Sequence, residues 1–239
     1  MKVDILAFGA HPDDVELGAA GTIAKSTAAG KKVGVIDLTA GELGTRGTPA
    51  LRKKEAQKAA TILKVAFREN MNFADGFFAN DVSHQMQLIQ KIRKYQPEIV
   101  LCNAIRDRHP DHAQGSDLVS KACFLSGLSK IETTSATGGL QSSWRPKQVL
   151  HYIQWKDITP DICLDISDFL DIKLKAVQAY TSQFYDPQSA APETPISSKN
   201  FLESVRYRAQ NLGRLVGIAA AEGFTVEKPV AVDSWEALL

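Results

Sequence analysis

Short apolar segments alternate with segments of helical composition along this chain, and that alternation constrains the fold more than any other feature. Residues 3–10, 32–39 and 98–103 are short and mostly apolar, which is typical of strands buried on both faces of a sheet. Residues 15–30 and 50–63 follow the first two and have the composition of helices. Such alternation favours parallel strands joined by helical crossovers. We therefore predict an α/β fold with a mostly parallel sheet and helices on both of its faces.

The rest of the chain continues this pattern, with two irregular interruptions. Further helices are predicted at residues 83–95, 113–125, 167–180 and 201–221, and strands at 149–155 and 162–165, with a loop or short strand at 73–80 and a strand-like tail after the last helix. Residues 127–146 are rich in Ser, Thr and Gly, and residues 186–198 contain three prolines. We predict a mobile loop or lid for the first stretch. Both are interpreted as insertions near a site, so that residues 1–239 form a single domain.

Composition narrows the class of partner. The 239 residues carry a formal net charge of +1 and 44% of them are hydrophobic, which suits a packed core and gives no electrostatic reason to bind nucleic acid or an anionic membrane. The three cysteines, Cys102, Cys123 and Cys163, are widely separated and predict reduced thiols. No segment has the composition of a signal peptide or a membrane span. We expect a cytoplasmic protein whose partner is a small molecule.

A His-Pro-Asp-Asp sequence at residues 11–14 follows directly on the first predicted strand. Ligands gather at the carboxyl ends of strands in parallel α/β sheets, so chemistry is expected at this position. His11 and Asp14 are three residues apart and would share one face of a first helical turn, where both can bind the same metal ion. Asp13 would point elsewhere and need not bind the metal.

Residues 106–112, Arg-Asp-Arg-His-Pro-Asp-His, take the equivalent position after the strand predicted at 98–103. A catalytic zinc is bound by three protein ligands, often histidines with a carboxylate, and keeps a fourth position open. His11, Asp14 and one histidine of the second segment, His109 or His112, supply such a set. The sequence therefore predicts one zinc ion per chain.

Each motif alone has a simpler interpretation. The first could be a helix cap whose carboxylates accept backbone N–H groups, and the second could be a charged surface turn. Two such clusters at the carboxyl ends of two strands of one sheet favour a metal site instead. The glycines at 41 and 44 lack the spacing of a phosphate-binding loop, so nucleotide binding is not expected.

The two motifs resemble the signature sequences of a known enzyme family. Residues 11–18, HPDDVELG, and 109–112, HPDH, are similar to those of the LmbE-like/PIG-L zinc deacetylases, and the similarity runs over essentially the whole chain. Residues 41–56 and 103–112 are most similar to the branch that deacetylates N-acetylglucosaminyl malate in bacillithiol synthesis. The resemblance implies a Rossmann-like sheet, zinc-dependent hydrolysis of the N-acetyl group of a glucosamine conjugate, and a homo-oligomer, which is a hexamer in the bacillithiol branch.

The resemblance also implies catalytic roles. It gives zinc three ligands: His11, Asp14 and His112. Asp13 would be the general base that takes a proton from the attacking water, a role that typically contributes about 10²–10⁴ in rate. His109, protonated and oriented by Asp111, would stabilise negative charge on the acetyl oxygen. The sequence leaves open whether Asp13 or His109 protonates the leaving amine.

Three further residues are expected at the substrate. Arg52 matches an arginine that contacts the distal carboxylate or the sugar, although taken alone it would be interpreted as a helix residue paired with Glu55. Arg108 matches a residue that shapes the site around the catalytic histidine. Tyr185, at the start of the second irregular stretch, is expected to reach the site from outside.

Other functions remain open at this stage. A phosphoesterase would be expected to use two metals and more carboxylates. A non-catalytic sugar-binding relative would not need both Asp13 and His109. Within the deacetylases, inositol or a chitin fragment could replace malate as the aglycone. The aromatic residues, Trp155 among them, are expected to pack in the core.

Overall fold

One seven-stranded sheet forms the centre of the fold in the computed structural model, which describes residues 1–238. Its strands are β1 (Ile5–Gly9), β2 (Val33–Thr39), β3 (Phe67–Phe73), β4 (Ile99–Cys102), β5 (Gln148–Tyr152), β6 (Ile162–Asp165) and β7 (Ala221–Val226). They lie in the order β3-β2-β1-β4-β5-β7-β6. The first five strands pair in parallel, whereas β7 runs antiparallel to both of its neighbours. The predicted α/β fold with a mostly parallel sheet is confirmed.

The α-helices cover both faces of this sheet. They are α1 (Asp14–Ala28), α2 (Pro49–Ile62), α3 (Val82–Tyr95), α4 (Pro110–Ser126), α5 (Leu170–Val177) and α6 (Lys199–Leu215). Successive residues of β1 point to opposite faces. Leu6 and Phe8 therefore join a core with α3 and α4, and Ile5 and Ala7 join a second core with α1 and α5. Among the described residues, no helix combines the length and the apolar composition that a membrane crossing requires.

Two elements differ from the sequence prediction. Residues 67–73, FRENMNF, form β3, which the apolar pattern does not reveal. This strand lies at the edge of the sheet and is mostly half-exposed, so polar residues are tolerated there. The helix predicted at 201–221 ends at Leu215, because Gly217, with φ of 78°, turns the chain toward β7.

The stretch at residues 127–146 packs against α3 and is not a lid. The buried Arg93 donates hydrogen bonds to the carbonyl oxygens of Ser126 at 3.0 Å, Leu128 at 2.8 Å and Ile131 at 2.6 Å. None of these loop residues lines the cavity of the candidate site. The lid prediction is therefore wrong, because a polar composition also fits a loop whose carbonyls are satisfied by one buried guanidinium.

Candidate active site

Turns at the carboxyl ends of three strands place the two motifs side by side. His11 follows β1, Asp75 follows β3, and the segment containing His109 and His112 follows β4. Ring nitrogens of the three histidines lie within 4.8 Å of one another. Residues about 100 positions apart in sequence thus meet at one edge of the sheet, which is where parallel strands collect ligands.

The carboxylate of Asp14 lies between His11 and His112. One of its oxygens is 3.4 Å from Nδ1 of His11, and the other is 3.1 Å from Nε2 of His112. All three side chains are buried. Two imidazole nitrogens with a carboxylate between them form a donor set that suits a divalent metal such as zinc.

The far nitrogen of each of these histidines is bound by a carboxylate. Nε2 of His11 lies 3.0 Å from Asp75 and 3.3 Å from Asp111, and Nδ1 of His112 lies 2.7 Å from Asp107. A carboxylate on the far nitrogen keeps the proton there and leaves the near nitrogen free as a ligand, the usual arrangement around metal-bound histidines. The candidate ligands therefore fit a metal site, and so do the carboxylates that hold the two histidines in place.

The site stabilises positive charge. Burial lowers the pKa of His11, but hydrogen bonds with the neighbouring carboxylates, that of Asp111 first, raise it well above its usual value overall. Burial also lowers the pKa of His112, yet the charge of Asp14 contributes to raising it to about 9. The buried carboxylates that favour protonated imidazoles would also favour a bound cation at this position.

Backbone and side-chain amides fix the orientation of Asp14. Gln154 donates to Oδ1 at 2.5 Å, and Asn103 donates to Oδ2 at 3.0 Å. The backbone N–H of His11 donates to Oδ2 at 2.9 Å. This carboxylate is therefore held in one position by three donors.

Asp13 points away from this set and pairs with Arg52. Nη2 of Arg52 lies 3.0 Å from Asp13 and 2.5 Å from the carbonyl oxygen of Pro12, while Nη1 lies 3.3 Å from the carbonyl oxygen of Gly41. Arg52 also lines the cavity, so its predicted contact with the substrate stays a prediction, although both of its Nη atoms already bind protein groups. It does not pair with Glu55, whose carboxylate accepts from residues 181 and 182.

The environment of Asp13 is that of a functional carboxyl. Its backbone lies in the left-handed region with φ of 117°, a conformation that is strained for a residue other than glycine and is concentrated at functional sites. Burial raises the pKa of Asp13 to about 7, although the charge of Arg52 acts in the opposite direction. A carboxyl with a pKa near neutral can both accept and return a proton at physiological pH.

His109 caps helix α4 at the edge of the cavity. Its Nδ1 accepts a hydrogen bond from the backbone N–H of Asp111 at 3.3 Å, so in the neutral ring Nε2 carries the proton. Burial lowers the pKa of His109, and the positive charges of His11 and His112 lower it further. Both effects oppose the protonated His109 that the sequence predicts, and its protonation during the reaction stays a prediction.

The predicted partner of His109 is also different. The carboxylate of Asp111 accepts from the backbone N–H of Gly76 at 2.8 Å and lies 3.3 Å from Nε2 of His11. It is the backbone N–H of Asp111, and not the carboxylate, that contacts the His109 ring. Asp111 thus supports a candidate metal ligand, whereas the helix cap orients His109.

The candidate site lines a cavity of about 240 Å³. Arg108 borders this cavity, with its guanidinium 4.7 Å from the ring centroid of Trp155. Trp155 lines the cavity rather than packing only in the core, and Gln183 lines it as well. Tyr185, 39% exposed, is not among the lining residues, so the structure does not bring it to the site.

Sequence reasoning missed Asp75 and gave Asp107 no role. Asp75 follows the unrecognised strand β3, so its place at the carboxyl edge of the sheet was not visible. Asp107 lies within the second motif, and its role as the partner of His112 could have been predicted. A carboxylate five residues before a candidate ligand can reach the far nitrogen of that ligand.

The chain is similar to known deacetylases. Residues 6–123 match the PIG-L family, GlcNAc-PI de-N-acetylase. The diacetylchitobiose deacetylase of Thermococcus kodakarensis is 31% identical over 190 residues, which are 75% of this chain and 70% of that protein. The probable N-acetyl-alpha-D-glucosaminyl L-malate deacetylase 2 of Bacillus anthracis is 26% identical over 75% of this chain and 81% of its own length. A conserved protein from Thermus thermophilus superposes with a TM-score of 0.84 at 33% identity, and the match covers 98% of each chain.

Proposed function

This chain belongs to the PIG-L/LmbE-like family of deacetylases, whose members hydrolyse amides of N-acetylglucosamine-type substrates, and we propose that it does so with one zinc ion per chain. The observation that carries the proposal is the position of the Asp14 carboxylate between His11 and His112, with Asp13 held beside this set by its ion pair with Arg52. We propose N-acetylglucosaminyl L-malate as the substrate, with release of acetate and the free amine.

The chemistry divides between the metal and the chain. A zinc ion bound there would polarise the acetyl carbonyl and make a water molecule more acidic. Asp13 accepts the proton of the attacking water, and Arg52 holds the Asp13 carboxylate in place during the transfer. His109 donates from Nε2 to the acetyl oxygen as negative charge develops on it. Asp13 then returns the proton to the departing amine, a transfer for which its pKa of about 7 suits it.

Two aglycones have specific support. The motif residues 41–56 and the Bacillus anthracis relative favour malate, whereas the Thermococcus relative favours a chitin disaccharide. Malate would bring two carboxylates, and Arg108 is an exposed cation at the cavity that could bind one of them. Location in the cytoplasm and assembly into a homo-oligomer, a hexamer by resemblance, are part of the same proposal.

A panel of N-acetylglucosaminides tests the function. Amine release should be fastest with the malate conjugate, slower with diacetylchitobiose, and lost for both when zinc is chelated. Re-addition of zinc should restore it. If no N-acetylglucosaminide released an amine with zinc supplied, the proposal would be wrong.

Arg108→Ala should raise KM for the malate conjugate about tenfold to a hundredfold, because a hydrogen bond to a charged group contributes about 1.5–3 kcal/mol. The variant should leave KM for diacetylchitobiose nearly unchanged, since that substrate has no carboxylate. Steady-state kinetics with both substrates measure this, and Arg106→Ala, an exposed arginine that does not line the cavity, is the matched control. Equal increases for both substrates would contradict the assignment of Arg108 to the carboxylate.

Asp75→Asn should weaken zinc binding by about 10–100-fold, the range typical of residues that hold a metal-bound histidine in place. At saturating zinc most of the turnover should return, because the ligands themselves are intact. Competition of the protein with a chelating dye measures the affinity, and Asp81→Asn, on the surface at the start of α3, is the control. An unchanged zinc affinity would show that the contact between Asp75 and His11 has no part in metal binding.

A further inference from the structure

We propose that the cavity behind the metal site takes the acyl side of the substrate, and that the enzyme hydrolyses N-acyl chains longer than acetyl. This inference rests on the proposed function, because it concerns the same amide bond. Hydrolysis of such an amide needs no new reactant: water adds to the acyl carbon, the C–N bond breaks, and a fatty carboxylate and the free amine leave.

The lining of the cavity has two parts. One part is the histidine and aspartate cluster at the carboxyl edge of the sheet. The other part, here called the annex, is mostly apolar and comes from α1, the end of β5, α6 and β7. We define the annex by six of its residues: Leu17, Ile153, Val205, Ala209, Leu212 and Gly223. Both parts border one continuous cavity, so a group bound at the metal can extend into the annex.

Most polar side chains near the annex already have protein partners. Nζ of Lys173 lies 2.6 Å from Glu222, and both residues are buried. Gln154 is occupied with the Asp14 carboxylate, and the half-buried Arg208 donates through Nη2 to the carbonyl oxygen of Trp155 at 2.5 Å. Apart from the other N–H groups of Arg208, the annex therefore offers mainly surface for hydrocarbon.

This chemistry decides which side of the amide enters the annex. A glucosamine ring carries several hydroxyls, and burying a hydroxyl without a hydrogen-bond partner is unfavourable. An alkyl chain instead gains about 0.8 kcal/mol for each methylene that is buried. The sugar should therefore remain on the side of the exposed Arg108, and the acyl chain should point inward.

The size of the cavity exceeds what acetyl requires. Measured as the space open to the centres of water molecules, one water needs about 10–15 Å³, and the methyl of an acetyl group is of similar size. In the same measure the whole cavity offers about 240 Å³, which the sugar would share. An acetyl group would leave much of the apolar surface without a partner, whereas a chain of several carbons would cover it.

A series of acyl lengths on one glucosaminide tests the proposal. N-acetyl, N-butyryl, N-hexanoyl and N-decanoyl forms are compared by kcat/KM in amine release. We expect an increase from acetyl to hexanoyl of up to about fourfold per methylene, the factor that corresponds to the burial of one methylene. If the N-acetyl form were the best substrate and longer chains were progressively worse, the proposal would be overturned.

A larger side chain in the annex should block the acyl chain and so tests where that chain binds. Ala209→Phe should remove the preference for longer chains, measured on folded protein as the ratio of kcat/KM for the N-hexanoyl form to that for the N-acetyl form. Gln210→Phe, at the next and exposed position of α6, should leave this ratio unchanged. A preference for long chains that survived in Ala209→Phe would also overturn the assignment to the annex.

Binding of the carboxylate product gives a readout that does not need turnover. Calorimetry on the zinc-loaded protein should show hexanoate binding at least about tenfold more tightly than acetate, and Ala209→Phe should abolish the difference. Equal affinities would contradict the annex. If no glucosaminide of any chain length were cleaved, the proposed function and the hydrolysis of longer chains would both fail, and these affinities would still decide whether the annex binds an alkyl chain. If only the N-acetyl form were cleaved, the function would stand and the inference would fall.

Discussion

Asp13→Asn is expected to lower kcat by about 10²–10⁴ while the protein remains folded and binds zinc. The loss follows from the position of the carboxylate: it lies outside the set formed by His11, Asp14 and His112, yet its pKa of about 7 suits it to proton transfer. An amide oxygen at the same place can accept a hydrogen bond but cannot take a proton from water.

The substitution is chosen so that only the chemistry changes. Asparagine tolerates the left-handed backbone better than most residues, so φ of 117° at this position should persist. Its oxygen can still accept from Arg52, so that guanidinium is not left without a partner. The measurement is kcat together with the zinc content of the same sample. Near-normal turnover with one zinc per chain would contradict the role of Asp13, and a loss of zinc would show that Asp13 binds the metal.

The second large effect is expected from His112→Ala, which should reduce activity to the level of the chelated enzyme. Removal of a direct ligand should weaken zinc binding by at least about 100-fold, beyond the 10–100-fold typical for residues that only support a ligand. It also leaves the buried Asp14 and Asp107 without the imidazole that separates them. Metal analysis after dialysis, with activity measured on the same sample, tests both expectations.

His84→Ala is the matched control for this variant. His84 is a histidine at the start of α3 that pairs with Asp81 away from the cavity. Its replacement should leave zinc content and activity unchanged. If His112→Ala retained one zinc per chain and most of its activity, a different set of residues would have to bind the metal.

The sequence predicted the part of the site that depends on topology. Buried strands have an apolar pattern, and parallel strands collect their carboxyl ends at one edge, so the motifs at residues 11–14 and 106–112 could be placed together before any contact was known. The helix–strand alternation predicted the mostly parallel sheet for the same reason. Strand β3 could not be predicted, because an edge strand exposed on one side can be polar.

The choice of partner for each side chain could not be predicted in the same way. The sequence does not reveal that Arg52 binds Asp13, and it places Asp111 on His109, whereas the structure places the Asp111 carboxylate against His11. Both contacts depend on distances between elements that are remote in sequence. Residue spacing within one helix cannot predict such distances. A capping bond from a backbone N–H to an imidazole is likewise visible only in the folded chain.

Anomalous diffraction from a zinc-soaked crystal would locate the metal. We expect one zinc per chain, about 2.0–2.2 Å from Nδ1 of His11, a carboxylate oxygen of Asp14 and Nε2 of His112, with Asp13 outside the coordination sphere. The other face of His11, where Asp75 and Asp111 also lie within metal-binding reach, is the competing position. A zinc ion bound there, or His11 and His112 bound to separate ions, would contradict the proposed metal site.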